Sequence, residues 1–343
     1  MSKNLPKAVL FKSVERFDTF QDVLEQYNVD AVILDFNEQG WIDFDYSDVD
    51  FIIYYPSFQF SSNAPFSLSK VYDSLMHIHS KYPHLKTYPD PDLIYFYNDK
   101  YRQYLYLKSG NYPTPLTYPL VGESSLELVD INLGFPLVLK NRFGAGGDAV
   151  FKVENKKQLF EYYKISNFDF FNFAALKFFF EKCFNRLFFY HLIKAKRMSY
   201  PFLTPPLLAQ KYIPHERDIK TVIGNYKVIE GHWREKANKE MWKVNIDGGG
   251  VGVWSEIPSK ALDLSEKLAK NLKATWLNID MIPSGDDFLI TEFSPVWHHY
   301  KYKEKPNFIY KDDYNIKVPL DISLKLEEII VQSLIEEVKS HNK

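Results

Sequence analysis

Trp276-Leu-Asn-Ile-Asp280-Met-Ile282 and Phe288-Leu-Ile-Thr-Glu292-Phe-Ser294, joined through Pro283 and Ser284-Gly-Asp-Asp287, each carry one acid inside an apolar run. Apolar residues at every second position on both sides of a Gly-Asp-Asp turn predict an antiparallel hairpin. The same alternation sets Asp280 on the face opposite Ile279, and Glu292 on the face opposite Phe293. Like charges facing each other across a sheet repel. Two arrangements relieve this: a hard cation with oxygen ligands, such as Mg²⁺, between the acids, or a basic neighbour for each of them.

Basic residues stand on the segments just upstream. Residues 207–213, 218–223 and 227–233 alternate like antiparallel strands, the last two joined across Gly224-Asn225-Tyr226. Alternation puts Asp218 and Lys220 of Arg217-Asp-Ile-Lys220 on one face, and the return strand can bring Arg234 to the same sheet. Cations there suit phosphates, with exposed ion pairs as the competing reading. Further upstream, strands at 135–140 and 149–153 flank Arg142-Phe-Gly-Ala-Gly-Gly-Asp148. Gly144, Gly146 and Gly147 would let the backbone approach an anion closely, and Lys140 would add a charge beside it. The segment is neither G-x-x-x-x-G-K-[ST] nor G-x-G-x-x-G, so an ordinary surface hairpin competes with a phosphate loop.

The opening ninety residues alternate short β runs (8–11, 31–36, 51–55) with helices (17–27, 68–82), the pattern of βαβ units and a mainly parallel sheet. Residues 86–92, with two prolines and two acids, read as a linker into a capped helix at 100–108, closed by Gly110 and stopped by Pro113 and Pro115. Further helices are expected at 155–164, 259–272 and 322–340, and there is no internal repeat. A chain of 343 residues with 45% apolar and 25% charged residues is long and apolar enough for two or three packed units. Lysine and arginine number 42 against 44 acids, a balance that offers no global field for a nucleic-acid backbone. The one cysteine, Cys183, supports neither an internal disulfide nor a thiolate cluster, and points to the cytoplasm. His298 and His299, after Trp297, show no metal-ligand spacing and read as structural or rim residues, with substrate contact as the alternative.

Residues 168–206 stand apart. Phe171, Ala175, Phe178, Phe179, Cys183, Leu187, Phe188 and Leu192 follow helical spacing, and six Lys and Arg between 177 and 197 face two acids, Asp169 and Glu181. Charges recur too often for a transmembrane span. A basic amphipathic helix there either supplies extra core to its own subdomain or rests on an anionic membrane surface or a partner.

Taken in order, Asn98-Asp-Lys100, Pro113-x-Pro115-x-Thr117, the strand ending at Lys140, Gly144-x-Gly-Gly147, Gln210-Lys-Tyr-Ile213, Arg217-Asp-Ile-Lys220, Arg234, Asn245 with Gly248-Gly-Gly250, Asp280 and Glu292-x-Ser294-Pro295 resemble the ATP-grasp superfamily, most closely its branch of RimK-like amino-acid ligases. The resemblance spans about residues 90 to 300. It implies an α/β N-terminal domain (1–95) ahead of an α+β ATP-grasp fold, whose nucleotide-binding subdomain (96–213) carries 168–206 as an insertion and whose metal and catalytic subdomain is 214–343.

The resemblance also implies roles. Lys100 and Lys140 match lysines that hold the α- and β-phosphates of ATP, Gly144 to Gly147 a loop that closes over the nucleotide, and Gln210, Lys211, Tyr212 and Ile213 the hinge that reads adenine. Asp218 falls beside the ribose or triphosphate. Arg234 matches the arginine that neutralises an acyl phosphate, and Asn245, Asp280, Glu292 and Ser294 the magnesium-facing positions, where Mn²⁺ is a substitute. Three positions depart from the pattern. Lys220 replaces an arginine, a point charge in place of a planar fork. Lys211 replaces an acid, and Ser294 replaces an asparagine, which puts a second metal in doubt. The activity implied is ATP-dependent activation of a carboxylate as acyl phosphate and its attack by an amine to form an amide, on a peptide, an amino acid or a cell-surface sugar. An ATP-grasp phosphotransferase and a non-catalytic nucleotide-binding scaffold are the rival classes. The expected setting is cytoplasmic, with the inner-membrane surface as the alternative.

Overall fold

The computed structural model describes residues 5–13, 16–55, 64–143, 149–167, 176–177, 180, 206–238, 241–244, 249–253, 255–295 and 326–341. Gly144, Gly146, Gly147, Asn245, Gly248, Cys183, His298, His299 and nearly all of 168–206 lie outside them.

Three sheets organise the chain. The first joins β1 (Lys7–Phe11), β2 (Asp30–Leu34), β3 (Phe51–Ile53) and β4 (Lys86–Tyr88) in the order β2-β1-β3-β4, all parallel. Helices α1 (Phe17–Gln26) and α3 (Ala64–Lys81) make crossovers, with the short α2 (Gly40–Asp43) between β2 and β3. Val9, Phe11 and Ile52 join one core with Leu75 and Ile78, while Ala8, Leu10, Phe51 and Ile53 join another with Phe20 and Leu24. Burial on both faces is the reason β1 and β3 read as unbroken apolar runs. Residues 86–92, expected as a linker, divide into an edge strand and a capped turn. Tyr54 N–H donates to Tyr88 O (2.8 Å) and Lys86 N–H to Asp50 O (3.3 Å), which seats β4 before the first proline at 89. In α4 (Pro91–Ile94), the Asp90 carboxylate accepts from Asp92 N–H at 2.9 Å and proline fills the first turn.

The second sheet runs β5-β8-β6-β7, all antiparallel, from β5 (Thr117–Leu120), β6 (Leu137–Asn141), β7 (Val150–Val153) and β8 (Leu207–Lys211). Leu137, Leu139 and Ala209 turn to a core shared with α6 (Glu123–Leu133) and α7 (Lys156–Ser166). Sequence patterning misses β5 and α6. Pro119 lies within β5 opposite Leu208 and obscures it, and α6 exposes Leu128 and Ile131 while burying Leu126 and Val129, which blurs its 3.6-residue period.

The third sheet runs β11-β10-β9-β12-β13, from β9 (Arg217–Gly224), β10 (Lys227–Glu235), β11 (Val251–Val253), β12 (Trp276–Ser284) and β13 (Asp287–Ser294). Asn225 and Tyr226 both take positive φ (50° and 64°), the two-residue turn whose twist matches the paired strands. Ile219, Trp233, Leu277, Ile279, Met281 and Phe293 pack beneath α8 (Ser259–Leu272). Alternation therefore sends Asp218, Lys220, Arg234, Asp280 and Glu292 to the other face. Helix α5 (Lys100–Ser109) packs beside β13, and α9 (Leu326–His341) returns to α1, with Ile330 and Val331 in the same core as Phe20 and Leu24.

Candidate active site

Lys140 stands on β6 on the face away from the Leu137–Leu139 core and is 8% exposed. Its Nζ donates to Gln210 Oε1 at 3.1 Å; Gln210 Nε2 donates to Thr117 Oγ1 at 2.9 Å, and the Thr117 hydroxyl donates to Pro115 O at 3.0 Å. Three neighbouring strands thus hold one ammonium in place. Burial, then the charge of Lys100, push Lys140 down to about 8, against an upward pull from Glu292. Both residues are within electrostatic reach of Lys140, although Glu292 belongs to the third sheet.

The fixing of Lys100 is local. It opens α5 directly after Asp99, whose carboxylate caps the helix by accepting from Tyr101 N–H (3.2 Å) and Arg102 N–H (3.1 Å). Arg142, two residues past Lys140, forks onto that carboxylate at 2.8 and 2.6 Å, and its carbonyl accepts from Lys100 N–H at 3.1 Å. A bidentate, largely buried pair is the strong form of this contact. One turn along α5, Gln103 Oε1 accepts from Phe293 N–H at 3.1 Å, beside Glu292. Helix α5 therefore ties the lysine ends of the second sheet to the acid strand of the third. Gln103, Arg142 and Thr117 were not singled out in the sequence, and only Thr117 carries a signal there, as the last residue of Pro113-x-Pro115-x-Thr117.

On the third sheet the strand registers form ranks. Arg234 faces Asp218; His232, Lys220, Asp280 and Glu292 stand in a row across four strands; Glu230, Val222, Asn278 and Ser294 form the next row. Arg234 forks onto Asp218 at 2.7 and 2.6 Å and also reaches Asp280 Oδ2 at 3.0 Å, while Lys220 Nζ lies 2.8 Å from Asp280 Oδ1. Burial alone would raise the Asp280 carboxyl, but Arg234 and Lys220 outweigh it and hold it well below the usual carboxylate range. Burial likewise works against the Arg234 charge, and Asp218 and Asp280 keep it. Asp280 thus has a basic partner on each oxygen, one of the two arrangements its sequence left open, while it faces Glu292 across β12 and β13.

The remaining expected positions divide. Ser294 stands one row beyond Glu292, opposite Asn278. Lys211 is exposed and its N–H donates to Leu116 O at 2.8 Å, Tyr212 stacks under Lys152 Nζ at 4.8 Å, and Ile213 O lies 2.6 Å from His215 Nδ1. Among the described residues there is no group of three or more His, Cys, Asp and Glu able to hold a metal ion, and no helix long and apolar enough to cross a membrane.

No family model matches the chain. A phosphoribosylaminoimidazole carboxylase of Saccharomyces cerevisiae is 37% identical over 89 residues, 25% of this chain and 16% of that protein, so the likeness spans about a sixth of the curated relative. Among solved structures, the ADP complex of purK, an N5-carboxyaminoimidazole ribonucleotide synthetase, aligns at TM-score 0.56 with 13% identity, over 86% of this chain and 71% of that one. The D-alanine–D-alanine ligase of Bacillus anthracis aligns at 0.51 with 15% identity, over 85% and 86%. A RimK domain ATP-grasp protein of Sphaerobacter thermophilus DSM 20745 aligns at 0.50 with 12% identity, over 84% and 90%. Over most of its length, the chain has the ATP-grasp fold.

Proposed function

We propose that this chain is an ATP-dependent ligase that activates a carboxylate as an acyl phosphate and joins it to an amine. The observation that carries the reading is the meeting of Lys100 and Lys140 with Glu292 at one place, a junction of two sheets made by α5. A dry ammonium beside a second cation, with a neutral amide as its contact, is an arrangement that an anion completes, and a polyphosphate supplies one. Lys100 and Lys140 would bind phosphate oxygens, with Gly144, Gly146 and Gly147 closing over them. Gln210, Lys211, Tyr212 and Ile213 would border the base, and Asp218 would act mainly through Arg234. Arg234 and Lys220, already fixed on Asp280, would stand where charge develops as the acyl phosphate forms and breaks. Chemistry of this kind is mostly positioning and charge stabilisation and needs no nucleophilic side chain.

Magnesium suits the donor set in part. Asp280 and Glu292 would hold it, with Ser294 and Asn245 as further oxygen donors, and when bound it supplies positive charge to the phosphates. Two described acids, one of them engaged by Arg234 and Lys220, fit one metal better than two. We take 1–95, 96–213 and 214–343 as working units, the substrates as small molecules or a peptide, and the setting as cytoplasmic, which the single cysteine supports. The test is an ADP-release screen with Mg²⁺ over pooled carboxylates, amino acids and amino sugars, followed by mass analysis of the responding pool. Free phosphate together with an amide is the expected result; a phosphorylated product would establish a phosphotransferase, and no substrate-dependent ADP a scaffold.

A further inference from the structure

The third row on the polar face of the third sheet contains a buried acid that the rows before it do not explain. Glu230 is 4% exposed and stands across from Val222, in register with Asn278 and Ser294 beyond it. In the rows before it each described acid is met by a cation: Asp218 by Arg234, Asp280 by Arg234 and Lys220, and Glu292 by Lys140 through space. Among the described residues Glu230 Oε2 has no hydrogen-bond partner, and Oε1 lies 3.9 Å from His232 Nδ1.

His232 cannot act as the missing cation. Burial first, then the charges of Arg234 and Lys220, push it down to about 3, against a weaker opposing pull from Asp280. Lys220 is the one described cation that acts on Glu230, and its ammonium is already bonded to Asp280 at 2.8 Å. Burial pushes the Glu230 carboxyl up to about 7, with Lys220 pulling the other way. A buried carboxylate oxygen without a donor is costly to the chain, and the group that satisfies it is a small cation able to donate hydrogen bonds. Two residues along a strand separate the row of Glu230 from the row of Lys220 and Asp280, about 7 Å.

We propose that Glu230 receives the ammonium group of the amine substrate and takes one proton from it, so that the amine enters the site as a cation and reacts as a free base. This rests on the ligase reading above. One ammonium N–H bond breaks, its electron pair stays on nitrogen, and the proton goes to Glu230 Oε2. The nitrogen pair then forms the C–N bond as the C–O bond to phosphate breaks; phosphate leaves with that electron pair, and the surplus proton on nitrogen passes to it. His232, kept neutral 3.9 Å from the carboxylate, does not compete for its charge.

The test compares Glu230→Gln with the native protein in ADP release. The assay contains ATP, Mg²⁺ and pooled carboxylic acids, with either a cationic amine pool of amino acids and glucosamine or hydroxylamine, which is uncharged at neutral pH. Loss of one charge-assisted contact is expected to lower the preference for the cationic amines over hydroxylamine, as a ratio of kcat/KM, about tenfold to hundredfold. The change is expected mainly in the KM of the amine, with ATP affinity by calorimetry shifted less than twofold. Glu230→Asp, which keeps the charge, is expected to recover part of the preference. An unchanged ratio, or an equal loss with both nucleophiles together with weakened ATP binding, overturns the inference and leaves the ligase reading standing. ADP release with neither nucleophile in the native protein overturns the ligase reading and this inference with it.

Discussion

Lys140 shows how a single residue can be poor for stability and well suited to a ligand. Its folded value, about 8, is below the ordinary 10.5 of lysine, so between these pH values the unfolded chain binds more protons than the folded one. Stability is therefore expected to rise with pH from about 8 to about 10.5, and Lys140→Ala to flatten that slope in urea titrations. Phosphate binding needs the charged form, so ATP affinity moves the opposite way and weakens as pH climbs past 8 in the native protein. Asp280→Asn leaves Arg234 and Lys220 facing an amide; it is expected to cost about 3 kcal/mol in the denaturant midpoint and to cut ADP release on the order of a hundredfold. Asp280 and Glu292 were readable in the sequence because strand alternation alone assigns a face, and Lys140 because it ends a strand beside a glycine-rich turn. Gln103 and Glu230 were not: Gln103 finds Phe293 across 190 residues, and the burial of Glu230 follows from packing that no local pattern records.

At the scale of elements, α5 is the piece on which the site depends. Asp99 both caps it and receives Arg142, so Asp99→Ala removes a helix cap and a partly buried ion pair together. The expected cost is about 2–4 kcal/mol by urea unfolding, with weaker ATP binding as Lys100 loosens. Asp99→Asn keeps the cap on its one acceptor oxygen but loses the charge and the contact from Arg142 Nη2, and is expected to fall between Asp99→Ala and the native protein. The strands of the third sheet and helix α8 were readable because their apolar periods are clean and their turns carry Gly, Asn and Asp. Element β4 was hidden by the prolines that follow it, β5 by Pro119 inside it, and α6 by the apolar residues on its exposed side.

Over the whole molecule, the C-terminal helix closes back onto the first sheet, a long-range packing that the amphipathic period of 322–340 could suggest but not direct. Arg16 pairs with Glu327 and leans over the Tyr55 ring at 5.5 Å, and Tyr27 donates to Glu328 at 2.9 Å. Glu327→Ala removes the carboxylate that Arg16 pairs with, and is expected to lower stability by about 2 kcal/mol by thermal unfolding while ATP affinity holds within twofold. The order of motifs made the fold class readable ahead of any contact, because it follows the order in which the second and third sheets are built along the chain. The central claim is that Lys140 on one sheet and Glu292 on another serve one triphosphate. Calorimetric titration of ATP with Mg²⁺ into the native protein, Lys140→Ala, Glu292→Gln and the double variant tests it directly. Each single change is expected to weaken binding about tenfold or more, and the double variant to lose less than the product of the two, the mark of residues sharing a ligand. Native protein that binds no ATP, or ATP affinity that Lys140→Ala leaves unmoved, would contradict it.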